Sequence, residues 1–134
     1  IYGPLEPAPP APQGEFLVFD QQAFAEPGDG FADEGVVYVP PACRSEPGCR
    51  VHVALHGCRQ SRETVGDSFI KETGFAEIAD ANRLVILFPQ ISASTYNPEG
   101  CWDWWGYTGL DYLGKDAPQI AALWAMVQRL AEQE

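Results

Sequence analysis

A short strand that runs into a tight turn carries residues suited to acyl-transfer chemistry. Residues 51–58 read Val-His-Val-Ala-Leu-His-Gly-Cys. The β-branched and apolar residues favour a strand, and Gly57 allows the backbone to turn closely behind it. A backbone N–H past such a strand end receives the negative oxygen of an acyl-transfer intermediate. The segment predicts an oxyanion-hole turn with the Cys58 N–H as donor; the alternative is an ordinary strand end.

An oxyanion hole needs a nucleophile, and the sequence offers no obvious one. None of the serines lies in a G-x-S-x-G motif. The chain has five of them, Ser45, Ser61, Ser68, Ser92 and Ser94. We do not expect His56 to be a catalytic base, because a base needs a nucleophile within reach. The chain is therefore predicted to carry half of an active site.

A second candidate segment is rich in aromatic residues. Residues 97–107 read Asn-Pro-Glu-Gly-Cys-Trp-Asp-Trp-Trp-Gly-Tyr. Trp102, Trp104, Trp105 and Tyr107 are predicted to form a platform for apolar or carbohydrate groups. The alternative is that Trp102 and one neighbour fill the core. Asp103 is expected to accept local backbone hydrogen bonds, with the role of a triad acid as the weaker alternative.

The number and spacing of the four cysteines limit which disulfides and which metal sites the chain can form. No C-x-x-C motif occurs, and the two histidines lie four residues apart in a predicted strand, so no metal site is expected. Two disulfides in a secreted protein are favoured, and we predict the pairs Cys43–Cys49 and Cys58–Cys101. The alternative is four buried thiols in a cytosolic protein. A bond between Cys58 and Cys101 would fasten the aromatic segment beside the oxyanion turn.

Composition restricts the possible partners. The formal net charge is −11, from 8 Lys+Arg and 19 Asp+Glu, so binding to nucleic acid or to an anionic membrane is not expected. No apolar run approaches the roughly 20 residues that a membrane helix needs. No signal peptide is recognised, and the start at Ile1 without a methionine predicts a processed or trimmed product.

The order of elements predicts an α/β fold. Residues 1–15 carry five prolines and are predicted to form an arm or linker, and residues 16–134 to form part of one domain. Strands are predicted at 36–39, 50–55 and 84–88, with 36–39 and 50–55 paired as a hairpin, and residues 16–19 are predicted to form a strand or a docking segment. Residues 69–82 show helical spacing interrupted at Gly74. Residues 84–88 are apolar on both faces, which is typical of an interior strand, and such a small sheet predicts further strands supplied from elsewhere.

A last helix is predicted after Pro118. Ile120, Leu123, Trp124, Val127 and Leu130 form its apolar stripe. This spacing predicts that Trp124 is buried in the core.

Taken together, the motifs resemble one known family. Leu55-His56-Gly57-Cys58 and Gly100 to Trp104, taken with residues 19–21, 38–43 and 82–90, resemble the extracellular polyhydroxybutyrate (PHB) depolymerases, and more narrowly their circularly permuted single-domain form. The resemblance runs from about Phe16 to the C-terminus.

The resemblance implies part of a circularly permuted α/β-hydrolase fold whose sheet is completed by another chain. In that form the Ser, Asp and His of the triad lie in the N-terminal portion, and this chain matches the C-terminal portion. The resemblance assigns the oxyanion N–H to Cys58 and substrate contact to Trp104, with Trp105 second. No position here matches the nucleophile, the acid or the base.

We therefore expect a C-terminal fragment of a secreted or periplasmic serine esterase, associated with an N-terminal chain of the same precursor that carries the triad. Its substrate would be a polyhydroxyalkanoate polyester, and no cofactor is implied. Two alternatives stay open. One is a non-catalytic module that binds a hydrophobic polymer or a glycan. The other is a related feruloyl or acetyl esterase on the same scaffold.

Overall fold

The computed structural model describes residues 1–132, and its centre is a four-stranded mixed sheet. The strands are β1 (Glu15–Asp20), β2 (Glu34–Val39), β3 (Arg50–Val53) and β4 (Leu84–Phe88). Their order across the sheet is β1-β2-β4-β3. β4 has a neighbour on each side, as its run of residues apolar on both faces predicts.

The predicted hairpin between residues 36–39 and 50–55 is wrong. β2 pairs antiparallel with β1 on one side and with β4 on the other, while β3 pairs only with β4, in parallel. The most apolar strand, β4, takes an interior position, and it separates β2 from β3, which follow each other in sequence. Within residues 1–132, β3 is consequently one of the two edge strands of the sheet, and β1 is the other.

Helices cover both faces of the sheet. Four short helices are α1 (Ala42–Ser45), α2 (Arg62–Val65), α3 (Ser68–Lys71) and α4 (Phe75–Asn82), and the longest is α5 (Pro118–Ala131). Ile70, Ala76 and Ala79 pack against one face, beside Tyr38 and Phe88. Gly74 breaks the predicted helical segment where its φ is +83°, a conformation that glycine adopts at little cost.

The opposite face is covered by α5, but not with the predicted stripe. Ala122 and Met126 are buried against the sheet, whereas Trp124 is 61% exposed. The prediction that Trp124 lies in the core is wrong. At about 100° per residue, Trp124 lies about 200° around the helix from both Ala122 and Met126, and thus on the far side.

The N-terminal arm lies against the body of the fold. The Gly14 N–H donates to the Tyr38 hydroxyl at 2.7 Å, and the Gln13 N–H donates to Asp80 of α4 at 2.6 Å. Further along, the Tyr2 hydroxyl is 2.8 Å from His52 Nδ1 of β3. The arm has no regular secondary structure before Glu15, and the division of the chain at residues 15 and 16 stays a prediction.

Among residues 1–132, no helix is long and apolar enough to cross a membrane.

Candidate active site

The candidate oxyanion turn follows β3, one of the two edge strands. After β3 ends at Val53, residues 57–60 form a turn that is closed by a hydrogen bond from the Gln60 N–H to the Gly57 carbonyl, at 3.1 Å. Arg59 adopts a positive φ of 61°, which makes this a type II turn with Cys58 in its second position. The Gln60 side chain returns to accept the Gly57 N–H at 2.9 Å. The backbone of the turn is therefore held from both ends.

One backbone donor of this turn differs from its neighbours. The N–H groups of Gly57, Arg59 and Gln60 each donate to a protein acceptor. The Cys58 N–H has no acceptor anywhere in the described part of the chain, and Cys58 is exposed. It takes no part in the pairing of β3 with β4. A free donor on a fixed turn is the geometry that an oxyanion hole requires.

His56 holds the turn and is not arranged as a catalytic base. Its ring is 2% exposed. Nε2 accepts the Ile91 N–H at 3.1 Å, which leaves the proton on Nδ1, 2.8 Å from the Gly57 carbonyl. Burial lowers the pKa of His56, and the bond to the Gly57 carbonyl offsets only part of that shift. Both ring nitrogens are committed to the backbone, so the neutral imidazole is a structural tie between two loops.

No serine-histidine pair occurs within residues 1–132. The ring of His52 is hydrogen-bonded to the Tyr2 hydroxyl, and both ring nitrogens of His56 are hydrogen-bonded to backbone groups. Ser61 is 2% exposed, and the Ser92 hydroxyl donates to Glu63. The same residues contain no group of three His, Cys, Asp or Glu that could hold a metal ion.

Several links fasten the aromatic segment to the turn. The structure contains the predicted disulfides Cys43–Cys49 and Cys58–Cys101. The Trp102 indole N–H donates to the His56 carbonyl at 3.1 Å. The Arg59 N–H donates to the Glu99 carbonyl at 2.7 Å, and their side chains form an ion pair. The aromatic segment and the candidate oxyanion turn thus form one structural unit.

The tryptophans of this segment divide into one interior ring and two surface rings. Trp102 packs edge-on against Phe31, with ring centroids 5.7 Å apart, and belongs to the apolar cluster under α5. Trp104 is 70% exposed and Trp105 is 41% exposed. Their ring centroids are 5.2 Å apart, and Trp105 lies 4.9 Å from the ring of Tyr107. The surface therefore presents a contiguous aromatic patch made of Trp104, Trp105 and Tyr107.

Asp103 organises that patch locally. Its Oδ1 accepts the N–H groups of Trp105, Gly106 and Tyr107, and its Oδ2 accepts the N–H and the hydroxyl of Thr108. Burial raises the pKa of Asp103, but these hydrogen bonds outweigh it and the net effect is to lower the pKa. No histidine contacts the carboxylate among residues 1–132, and the local role is the one that the structure supports.

Two buried amides support the patch, although the sequence analysis does not single them out. Gln119 of α5 accepts the Asp103 N–H at 2.8 Å and donates to the Tyr107 hydroxyl at 2.6 Å. Asn97 makes reciprocal bonds with the backbone of Cys101, at 2.8 and 2.9 Å. Lone polar residues at the end of a loop or at the start of a helix give no periodic signal, so only the folded geometry reveals them.

Comparison with known proteins gives a consistent result. No family model matches the chain. A poly(3-hydroxybutyrate) depolymerase from Delftia acidovorans is 40% identical over 135 residues, which cover 98% of this chain and 27% of that protein. A polyhydroxybutyrate depolymerase from Talaromyces funiculosus is 36% identical over 124 residues, which cover 81% of this chain and 37% of that protein.

Solved structures of the same class superpose closely. The crystal structure of a PHB depolymerase from Penicillium funiculosum matches with a TM-score of 0.93 and 34% identity, over 98% of this chain and 45% of that chain. A serine-to-alanine variant of a PHB depolymerase, complexed with an R3HB trimer, matches with a TM-score of 0.92 over the same shares. The chain spans less than half the length of each of these relatives. Along nearly its whole length, this chain is therefore similar to part of the PHB depolymerases, and it shares their mixed α/β-hydrolase sheet.

Proposed function

We propose that this chain is the C-terminal portion of a secreted serine esterase that hydrolyses the ester bonds of polyhydroxybutyrate or a related polyhydroxyalkanoate. It supplies the oxyanion donor and an aromatic substrate surface. The serine, histidine and aspartate of the triad lie on polypeptide outside these 134 residues. The names of its relatives support the substrate class, and one solved neighbour is a complex with an R3HB trimer.

The observation that carries the proposal is the free N–H of Cys58. In acyl transfer, a serine oxygen attacks the ester carbonyl, and the carbonyl oxygen becomes negatively charged. A donor that is already fixed and unpaired stabilises this charge without reorganising during the reaction. The disulfide to Cys101 and the bonds of His56 and Gln60 fix the turn, while the Cys58 N–H itself stays available.

The aromatic patch suits a polyester. Trp104 and Trp105 present apolar ring surface, and the repeating unit of the polymer presents methyl and methylene groups between its esters. Since Asp103 and Gln119 order the segment, little conformational entropy is lost when a chain of polymer binds. We leave Trp102 out of the proposed contact surface, because it packs against Phe31 in the interior.

The topology supports the placement of the missing triad. The crossover from β3 to β4 runs over one face of the sheet through α2–α4, and α5 lies on the other face. Since parallel crossovers are right-handed, a strand that followed α5 in the unpermuted order, parallel to β4, would lie beyond β3, on its open edge. β3 would then border a topological switch point, and ligands in such sheets bind at the carboxyl ends of the strands there. The Cys58 turn lies at that end of β3.

We propose that the strand beside β3 and the triad belong to the N-terminal portion of the same precursor, in a circularly permuted order. After cleavage of the precursor, this strand and the triad lie on a separate chain that stays associated with this one. The length of the relatives, more than twice the matched part, leaves room for such a portion. Two disulfides support secretion into an oxidising compartment.

The test compares two variants that both lack the Cys58–Cys101 disulfide and that differ in whether residue 58 has an N–H. Cys58→Pro lacks the donor, and proline suits the second position of a type II turn. Cys58→Ala keeps the donor, and both are made with Cys101→Ala so that neither has the disulfide. In the complete polypeptide, we expect kcat for ester hydrolysis to be roughly 10²- to 10³-fold lower in the proline variant than in the alanine variant. Equal kcat values in two folded variants would exclude the Cys58 donor.

A binding module is the second candidate, favoured by the aromatic patch and by the lack of a serine-histidine pair within residues 1–132. The chain alone and the complete polypeptide are assayed for binding to PHB and for ester release. Hydrolysis by the complete polypeptide supports the esterase. Binding by both without any hydrolysis supports the module.

A further inference from the structure

We infer that a cleft between β1 and the C-terminal part of α5 binds an aliphatic carboxylate. The cleft has a volume of about 310 Å³, and Arg129 of α5 lies among the residues that line it. We call it the Arg129 cleft. None of its lining residues belongs to the Cys58 turn or to the aromatic patch. The inference therefore goes beyond the proposed function and does not depend on it.

The floor of the Arg129 cleft is apolar. Val37, Leu87 and Met126 line it, and all three side chains are buried. Leu17 of β1 lines the same cleft and is exposed, so the apolar surface extends from the interior to the solvent. Concave sites of a few hundred Å³ with a mostly apolar lining are typical of small-molecule binding. The floor thus suits the hydrocarbon part of a ligand.

The charge of Arg129 selects the other end of the ligand. Arg129 is the one charged residue of α5, and its side chain forms no ion pair or hydrogen bond with any residue among 1–132. The cations that do have an acidic partner are Arg44, Arg59, Arg62, Lys71 and Arg83. A guanidinium forms two parallel hydrogen bonds with a carboxylate. An uncharged ester segment would gain no such contact.

Asp20 restricts how the ligand lies. It lines the same cleft, and its Oδ1 accepts the Gln22 N–H at 2.9 Å. It forms no ion pair with Arg129, so the two charges lie apart. A carboxylate close to Asp20 would be repelled. The carboxylate of the ligand therefore lies at Arg129, and its uncharged chain lies along the floor.

The position of the cleft disfavours a protein segment as its occupant. It borders β1, whereas the additional strand of the proposed function would pair with β3, at the opposite edge of the sheet. A second copy that paired with β1 in the antiparallel register of residues 15–20 would place each Asp20 opposite a Glu15. Like charges directly opposite each other destabilise such a pairing.

NMR titration of the complete polypeptide with octanoate tests the inference. The reporter is the isotope-labelled methyl group of Met126 on the floor, identified by its absence in Met126→Leu. We expect a saturable shift of this resonance. Arg129→Gln should weaken octanoate binding about 10-fold or more, but should leave the binding of octanol unchanged. Asp20→Asn should strengthen octanoate binding, because it removes a repelling charge.

Lys115→Gln is the matched control. It also removes an exposed cation that forms no ion pair among residues 1–132, and Lys115 does not line the cleft. The affinity for octanoate should be the same in this variant as in the unchanged protein.

Three results would overturn the inference. If octanoate does not shift the Met126 resonance, the cleft takes no aliphatic ligand. If octanoate binds equally well to the Arg129→Gln variant, the carboxylate is not held by Arg129. If octylammonium binds more tightly than octanoate, Asp20 rather than Arg129 determines the charge of the ligand. Since no ester is hydrolysed in these measurements, each of these results leaves the proposed function unaffected.

Discussion

Asp103 offers the sharpest test of how the aromatic patch is built. Asp103→Asn preserves size and shape but removes the charge and half of the acceptors. The amide oxygen can still accept the three N–H groups of Trp105, Gly106 and Tyr107 that Oδ1 accepts. The amide nitrogen must then face the N–H of Thr108, which is a donor. The substitution therefore replaces the hydrogen bond from the Thr108 N–H by a donor-donor contact, while the Thr108 hydroxyl can turn and accept from the new amide.

The expected loss follows from these contacts. A hydrogen bond to a charged group contributes about 1.5–3 kcal/mol when buried, and less where water reaches it, as it does here. The loss of one bond to the carboxylate at this partly exposed site costs roughly 1–2 kcal/mol of unfolding free energy. Asp111→Asn is the matched control in the same loop, because that side chain is exposed and has no hydrogen bond among residues 1–132. It should change stability by less than about 0.5 kcal/mol.

Urea unfolding monitored by tryptophan fluorescence, repeated across pH, provides the assay. The pKa of Asp103 is lowered in the fold, so its stabilisation is present above the unfolded pKa of about 4 and is lost as pH falls through the folded value. The free-energy difference between the protein and the Asp103→Asn variant should shrink accordingly. A difference that is below about 0.5 kcal/mol at neutral pH, or that does not change in acid, would refute this explanation of the patch.

Three further predictions concern the framework of the site. Replacing Cys58 and Cys101 by alanine removes a disulfide that closes a loop with a sequence separation of 43. We expect urea unfolding to show a loss of roughly 4 kcal/mol in the free energy of unfolding, more than the loss of a disulfide that closes a loop of a few residues would cause. Burial lowers the pKa of His56, so the contribution of its neutral form to stability is fully present above the unfolded pKa of about 6.5 and is lost as pH falls through the folded pKa. Thermal unfolding scans across pH should show this loss in the protein, and the His56→Gln variant should not show it. Tyr38→Phe removes a hydroxyl that donates to Asp80 at 2.6 Å, and hydrogen exchange should show faster exchange in the N-terminal arm, with a loss of about 1–3 kcal/mol.

The local signals in the sequence predicted much of what surrounds the site. The apolar run at 84–88 identified the interior strand, Gly74 marked the break between two helices, and the cysteine pairs were predicted as they occur. Each of these features depends on residue type and spacing over a short stretch. Such signals are available to a single sequence.

The errors arose where a choice depends on distant parts of the chain. The hairpin prediction failed because periodicity identifies strands but not their neighbours, and β4 inserts between β2 and β3. The Trp124 prediction failed because α5 is apolar on two sides, and residues 120, 123, 124, 127 and 130 fit one broad stripe as well as two narrow ones. The buried face is set by Ala122 and Met126, whose fit to the sheet appears only in three dimensions.

The free donor at Cys58 is a consequence of how the turn closes. In a type II turn, the bond from the fourth residue to the first uses the Gln60 N–H and the Gly57 carbonyl, while the N–H of the second residue points away from that bond. Closure of the turn thus leaves the Cys58 N–H without a partner, and it requires Arg59 to adopt a left-handed conformation that costs about 1 kcal/mol. The bond of the Arg59 N–H to Glu99 and the disulfide of Cys58 offset that cost. The bonds that hold the strained turn are also those that attach the aromatic segment, so the donor and the substrate surface are positioned by the same contacts.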